Sequence, residues 1–298
     1  MKKLLLSFVL CSIIIAPLWA QQTVFSVILN KGDNYITSGK VDHEILLGSK
    51  LGDTDVIKIE STGYVALVHE STGASLELTE GGQYEVSELE NRLLKRPTTV
   101  LAKYGMFLMK KLNPDEKGNQ NLNVTGAVER GDMGVIDVDL PKVNDLFGDQ
   151  IIIKWKQADD IEDYVVTIKD KLDEIITEKP VKGTSLVIDL NQGQLHNEKM
   201  IIICVHAQKN RELRSPDFGI KRLGSKEGEN ISNEFDHLKM VANSNNVVDK
   251  LLIASFFEEN HLLADAITYY NEAQVISPDP EGFNRLYNNF LVRNGLRN

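Results

Sequence analysis

Val56-Ile57-Lys58-Ile59-Glu60-Ser61-Thr62-Gly63-Tyr64-Val65-Ala66-Leu67-Val68-His69-Glu70-Ser71-Thr72-Gly73-Ala74-Ser75-Leu76-Glu77-Leu78 is the stretch on which the fold turns. Val56–Ile59, Val65–Val68 and Ser75–Leu78 are short strand candidates, the last cleanly alternating. Two identical Ser-Thr-Gly turn signals separate them, about ten residues apart, which is the spacing of small antiparallel β-structures. Upstream, Thr23–Leu29 is apolar and β-branched, and Lys31-Gly32-Asp33-Asn34 is turn chemistry. Together these segments predict a small all-β sandwich or roll over residues 21–86.

Within this region Gly48-Ser49-Lys50-Leu51, Asp55-Val56-Ile57, Gly63-Tyr64-Val65-Ala66-Leu67-Val68 and Gly73-Ala74-Ser75-Leu76-Glu77-Leu78 resemble the FecR-like domain over about residues 25–86. Ala74 stands where that family has Ser. The resemblance implies an exported β-module whose motifs carry strand and turn chemistry and no reactive residues.

Residues 87–148 read as a helical linker and loop. Ser87 with Glu90 has capping-box spacing, Pro97 interrupts, and Thr98 is placed to cap a second helix through Tyr104, Phe107, Leu108 and Leu112. Asn113–Asn121 is polar, and Lys117 occupies a position where a calcium loop needs an oxygen ligand, so a solvated loop is the expectation. Residues 149–220 form a second β-unit, built from Ile151–Trp155, Tyr164–Asp170, Ser185–Leu190 and Met200–Ala207. An early strand Trp, a Tyr-led middle strand and a late Val-x-Ala strand resemble a fibronectin type III or immunoglobulin-like sandwich. Residues 221–246 read as a linker.

In residues 247–298 the small residues Ala254, Ala266 and Ala273 let two antiparallel helices approach closely. The large apolar Ile253 precedes Ala254, Phe257 and Tyr270 fill the groove between the helices, and Pro278 ends the second helix. This pattern resembles a tetratricopeptide repeat. The resemblance implies that Ile253, Ala254, Phe257, Ala266, Tyr270, Ala273 and Pro278 form a partner-binding element, with Phe283–Leu291 capping it. The fold class expected is therefore multidomain and mainly β with C-terminal α: two small β-sandwich or roll domains, a helical linker and a tetratricopeptide-like helical hairpin.

The first twenty residues set the compartment. Lys2 and Lys3, the apolar run Leu4–Ile15 and the Ala16–Ala20 region have the order of a secretory signal, too short for a comfortable membrane span. Cys11 would leave with it, and Cys204 would remain without a partner for an internal disulfide. The net charge of −10 disfavours nucleic acid and anionic lipid as partners. No other apolar run approaches the length of a spanning helix.

Reactive constellations are sparse. Asp137 and Asp139 would share a strand face, as paired carboxylates must for acid–base work. His196 and His206, with Cys204 beside the latter, supply too few donors for a tetrahedral metal site. Neither a metal nor a cofactor is expected, and Cys204 is expected to be a core thiol. The functional expectation is an exported non-enzymatic interaction or scaffold protein of the periplasm or cell envelope, binding protein or glycan partners. The alternatives are an envelope-polymer hydrolase using Asp137 and Asp139, or a periplasmic sensor arm coupled to a membrane partner.

The signal reading predicts a mature chain beginning at Gln21. The intact mass of protein recovered from the producing cell checks this, and a mass that retains Met1 contradicts it.

Overall fold

The computed structural model describes residues 22–93, 99–112, 135–242 and 246–297. The segment expected to be a signal, Pro97, Thr98 and the expected Asn113–Asn121 loop lie outside these. Among the described residues the chain is multidomain and mainly antiparallel β-sheet, with most of its helices gathered toward the C-terminus. No helix among the described residues is long and apolar enough to cross a membrane.

The first unit holds two four-stranded sheets. One runs β4 (Lys50–Gly52), β1 (Thr23–Lys31), β6 (Tyr64–His69), β7 (Ser75–Leu78); the other runs β3 (Val41–Glu44), β2 (Tyr35–Ser38), β5 (Val56–Ile59), β8 (Gly82–Glu85). Phe25, Val27, Val65 and Leu67 from the first sheet meet Ile36, Ile57 and Ile59 from the second in one core. A short helix, α1 (Val86–Leu93), closes that core with Val86 and Leu89.

The first sheet is buried on both faces, which explains why every residue of β6 is buried. A bulge between Val27 and Leu29 shifts the β1 register, so Leu29 opposes Ala66 and turns to the far face with Tyr64 and Val68. There α2 (Thr99–Leu112) lies across it, with Tyr104 and Leu108 buried in the same cluster. Gly105 is the point of closest approach. A Cβ there would stand 2.7 Å from Gly73 Cα and 3.1 Å from Val68 Cγ1.

The second unit begins at the bridges of Val135 to Arg214 and Val138 to Trp155. Its larger sheet runs β12 (Ile175–Lys182), β11 (Asp163–Lys169), β14 (Met200–Ala207), β16 (Phe218–Arg222), β9 (Val143–Leu146), with β15 (Asn210–Arg214) also on β14. Only the β16–β9 pairing is parallel among these strands. Facing this sheet, β10 (Gln150–Lys154) pairs with β13 (Ser185–Asp189). Ile151, Ile153, Trp155, Tyr164, Val166 and Ile203 fill the space between, and the Trp155 and Tyr164 rings meet edge to face.

Where the sequence read as a linker, the structure has α3 (Ser225–Val241), a full helix. Its buried stripe is Phe235 and Leu238, with Ile231 packed at the margin. Those three lie at i, i+4 and i+7, an amphipathic helix hidden among many polar residues. The last three helices are α4 (Val247–Glu259), α5 (Leu263–Ile276) and α6 (Pro280–Arg293). One hydrophobic cluster extends from the outer face of the β6 sheet through these helices into the second β-unit.

The close seat at Gly105 gives a paired prediction. Gly105→Ala gains about 1 kcal/mol of helix propensity but drives a methyl into backbone, and overpacking costs about 1–3 kcal/mol, so the net effect is destabilising. Gly228→Ala, whose Cβ would meet only Leu223 Cδ2 at 3.6 Å, stabilises by about 1 kcal/mol instead. Urea unfolding of the two variants reads the opposite signs.

Candidate functional site

Among the described residues no element packs on the outer face of the second sheet of the first unit. Ile36 and Ile57 point into the core, so their neighbours in β2 and β5 point out by the two-residue period of a strand. Cross-strand pairing arranges the outward side chains in two rows. Glu44, Tyr35, Lys58 and Gln83 form one; Asp42, Thr37, Val56 and Glu85 form the other. Tyr35 is 41% exposed. The β2–β3 connection is a two-residue loop with Gly39 at φ +64°, the position at which a type II′ hairpin needs glycine.

Polar contacts cross-link the strands of this face. Lys58 Nζ lies 3.0 Å from both carboxylate oxygens of Asp42, and Thr37 donates to Asp42 Oδ1 at 2.6 Å. The Thr37 hydroxyl first, and then Lys58, hold the Asp42 carboxyl below the usual carboxylate range. Lys58 is thereby spoken for, leaving Glu44, Glu85 and the phenol of Tyr35 to face outward.

At the end of the same unit a cavity of about 130 Å³ is lined by Gln22, Thr23, Val24, Asp53, His69, Ser71 and Glu90. His69 is buried there, its ring edge-to-face with Phe25 at 5.1 Å. Ser71 Oγ and Glu90 Oε1 stand 3.2 and 3.4 Å from opposite ring nitrogens, a spacing that resembles a nucleophile–base–carboxylate relay. The nitrogen that a serine would use is already the acceptor for Thr72 N–H at 3.2 Å and for Thr72 Oγ1 at 2.9 Å. The ring therefore caps the Ser71-Thr72-Gly73 turn.

The residues expected in a partner-binding hairpin sit inside the chain's own core. Ile253, Ala254, Phe257, Ala266, Tyr270 and Ala273 are buried, and Pro278 is half-buried just before α6. Helix α5 covers the β10–β13 ribbon and tidies its edge: Ile152 N–H donates to Thr268 Oγ1 at 3.0 Å. Asp265 accepts from Phe147 N–H at 2.9 Å and Gly148 N–H at 2.8 Å. Gly148 is required there, since a Cβ would stand 2.9 Å from Asp265 Oδ1. Burial pushes the Asp265 carboxyl up to about 7 against the pull of those two backbone donors. The opposite face of α6 is polar, with Glu281, Asn284, Arg285, Asn288 and Asn289 exposed, so the helical stack ends there.

The paired carboxylates occupy different environments. Asp137 is exposed, whereas Asp139 is buried and gripped by Arg297 Nη2 at 2.7 and 2.9 Å. Burial raises the Asp139 carboxyl and Arg297 opposes that shift. His196 is exposed and His206 is buried with Nδ1 3.1 Å from Ala207 O. Cys204 is a buried free thiol pushed up by burial. No group of three or more potential metal ligands occurs among the described residues. Sequence reasoning missed Tyr35, Asp42 and His69. The alternation around Lys58 was visible, but only the pairing of β2 and β3 shows what shares its face.

No protein-family model matches this chain, and no curated protein matches it.

Asp265 yields a pH prediction. Its folded-state value lies above the usual 3.8, so its contribution to stability is complete below about pH 4 and is lost as pH rises toward 7. Relative to Asp265→Asn, the wild type loses up to about 4 kcal/mol across that window, roughly three units at 1.4 kcal/mol each. Chemical denaturation of both proteins from pH 4 to 8 measures the difference, and parallel curves contradict it.

Proposed function

We propose that this chain is an exported, non-enzymatic interaction protein of the periplasm or cell envelope, and that it docks a protein partner on the open face of the β3–β2–β5–β8 sheet. The observation that carries the reading is that no described element covers this face, while the neighbouring β4–β1–β6–β7 sheet is covered on both sides. A tyrosine flanked by long polar side chains on a rigid sheet is the composition of an interface anchor, since tyrosine supplies large contact area with little conformational freedom to lose. Asp42, Glu44 and Glu85 against the single Lys58 make the face acidic, so the partner surface that fits it is basic.

In the same reading residues 21–86 are a FecR-like module, 149–220 a fibronectin-like sandwich and 247–298 a tetratricopeptide-like hairpin. The hairpin then serves as the brace that joins the two β-units. A brace of this kind suits a scaffold, because it fixes the angle at which two binding surfaces are presented.

The test is affinity capture from the native envelope with wild type, Tyr35→Ala and Asp42→Lys. Tyr35→Ala stays close to the wild-type melting temperature because the ring lies on a solvated face, whereas Asp42→Lys exchanges the Lys58 ion pair for like charges and lowers it by a few degrees, so capture is compared well below both transitions. The captured basic protein binds each variant at least about tenfold more weakly, the loss typical of an interface hot spot. Unchanged capture by both variants contradicts the assignment, and salt-insensitive retention of envelope polysaccharide points to glycan binding instead.

A further inference from the structure

Among the described residues, strand β3 lies at the edge of its sheet and pairs only with β2. Ile45 N–H donates to Asn34 O at 3.1 Å, and antiparallel alternation carries that direction back along the strand. Val41 and His43 therefore direct their backbone groups at β2. Asp42 and Glu44 turn their N–H and C=O groups the other way, to the free edge. The side chains alternate as well. Asp42 and Glu44 stand on the open face with Thr37 and Tyr35, whereas Val41 and His43 stand on the core side with Ile36. At this edge even the core side is uncovered: all four residues of β3 are exposed, Val41 by 56%.

Native sheet edges are ordinarily blunted by proline, lysine or a bulge. The longer edge strand β12 shows one such device. Gly183 N–H donates to Glu162 O at 3.0 Å, so by the same alternation Pro180 faces the open side of β12, where it offers no N–H. Strand β3, Val41-Asp42-His43-Glu44, holds neither proline nor lysine, and its pairing with β2 runs without a register shift. Its acidic residues do bar one occupant. A second copy pairing antiparallel through this edge would set Asp42 and Glu44 against the same carboxylates, an unfavourable cross-strand match. That row favours lysine or arginine directly opposite. The core side favours an apolar neighbour, because an added strand lays a side chain beside Val41.

We propose that β3 is a strand-addition site: an extended segment of a partner protein, alternating basic and apolar residues, pairs with its free edge and lengthens the β3–β2–β5–β8 sheet by one strand. The basic residues of the segment lie on the open face opposite Asp42 and Glu44, and their N–H and C=O groups exchange hydrogen bonds with those two residues. The apolar residues lie on the core side, next to Val41 and His43. Main-chain bonds supply the grip, and the alternation supplies the choice of sequence. The inference rests on the acidic docking face proposed above and adds the form of the partner, which is a strand at the edge and not a folded surface laid across the face.

The test uses the full mature protein and a synthetic peptide that alternates lysine and valine. Two further peptides carry backbone N-methyl groups, one at every lysine and the other at every valine. NMR titration at low salt reads affinity and site together. The parent peptide binds and slows hydrogen exchange of the Asp42 and Glu44 amides by about tenfold or more, the protection that a new backbone hydrogen bond gives. Methylation at lysine removes the donors that face the edge and weakens binding by about tenfold or more, as expected for two lost bonds, whereas methylation at valine changes it little. Binding that leaves both amides unprotected, with the two methylated peptides equal, overturns strand addition and leaves the acidic face as the docking surface. Absence of binding overturns it as well, while capture by Tyr35→Ala and Asp42→Lys judges the docking face separately. Protection of residues 42 and 44 in the protein alone that grows with its concentration assigns the edge to a second copy and also overturns the proposal.

Discussion

A helix with almost no solvent face governs this structure. In Val247–Glu259 the residues Val247, Val248, Leu251, Leu252, Ile253, Ala254, Phe256 and Phe257 are all buried, and they point in every direction around the axis. A helix that is apolar all round is stable only when something covers each side. Here α2 covers one side and α5 another, with the aromatic group of Phe235, Phe256, Phe257 and Tyr269 between α3, α4 and α5. Full burial of each large side chain is worth about 1.5–3 kcal/mol, so this one helix outweighs any single surface contact. The two β-units are thereby joined through a shared interior.

Carboxylates mark the seams of that interior. Glu77 of β7 accepts from Val248 N–H at the N-terminus of α4, where the helix dipole favours negative charge. Asp265 holds the β9–β10 turn, and Asp139 holds Arg297. Glu258 takes the guanidinium of Arg293 in two 2.6 Å bonds, with Tyr270 and Asn294 as further donors, tying α6 to α4. Removing one member of such a buried pair costs about 3–5 kcal/mol, chiefly from the charge left behind. Apolar burial sets how strongly the layers adhere; these polar joints set their register.

The strands whose faces are both covered, such as β6 and β14, stood out in the sequence as continuous apolar runs. So did the small-residue and aromatic spacing that makes α4 and α5 a close pair. The strands β2, β3, β8 and β12 were silent, because each has a solvated side and reads as mixed polar sequence. Helix α3 was silent for a similar reason, with only three apolar residues setting its period. The candidate face was not legible, since it is a property of four strands side by side and not of any one of them. His69 was likewise hidden: its role comes from Thr72 folding back and from Glu90 arriving on a separate helix, and no spacing in the sequence announces either.

The ion pair that ties Arg297 to Asp139 also bears on the order of assembly. Its partners are 158 residues apart, Ser75 and Asp249 are 174 apart, and Lys103 and Glu234 are 131 apart. The final helix reaches back to the first strand. An interior closed by contacts of such large sequence separation forms slowly, because the loop-closure entropy must be met before the contacts stabilise anything. Completion of the shared interior thus waits on contacts made by residues 247–297.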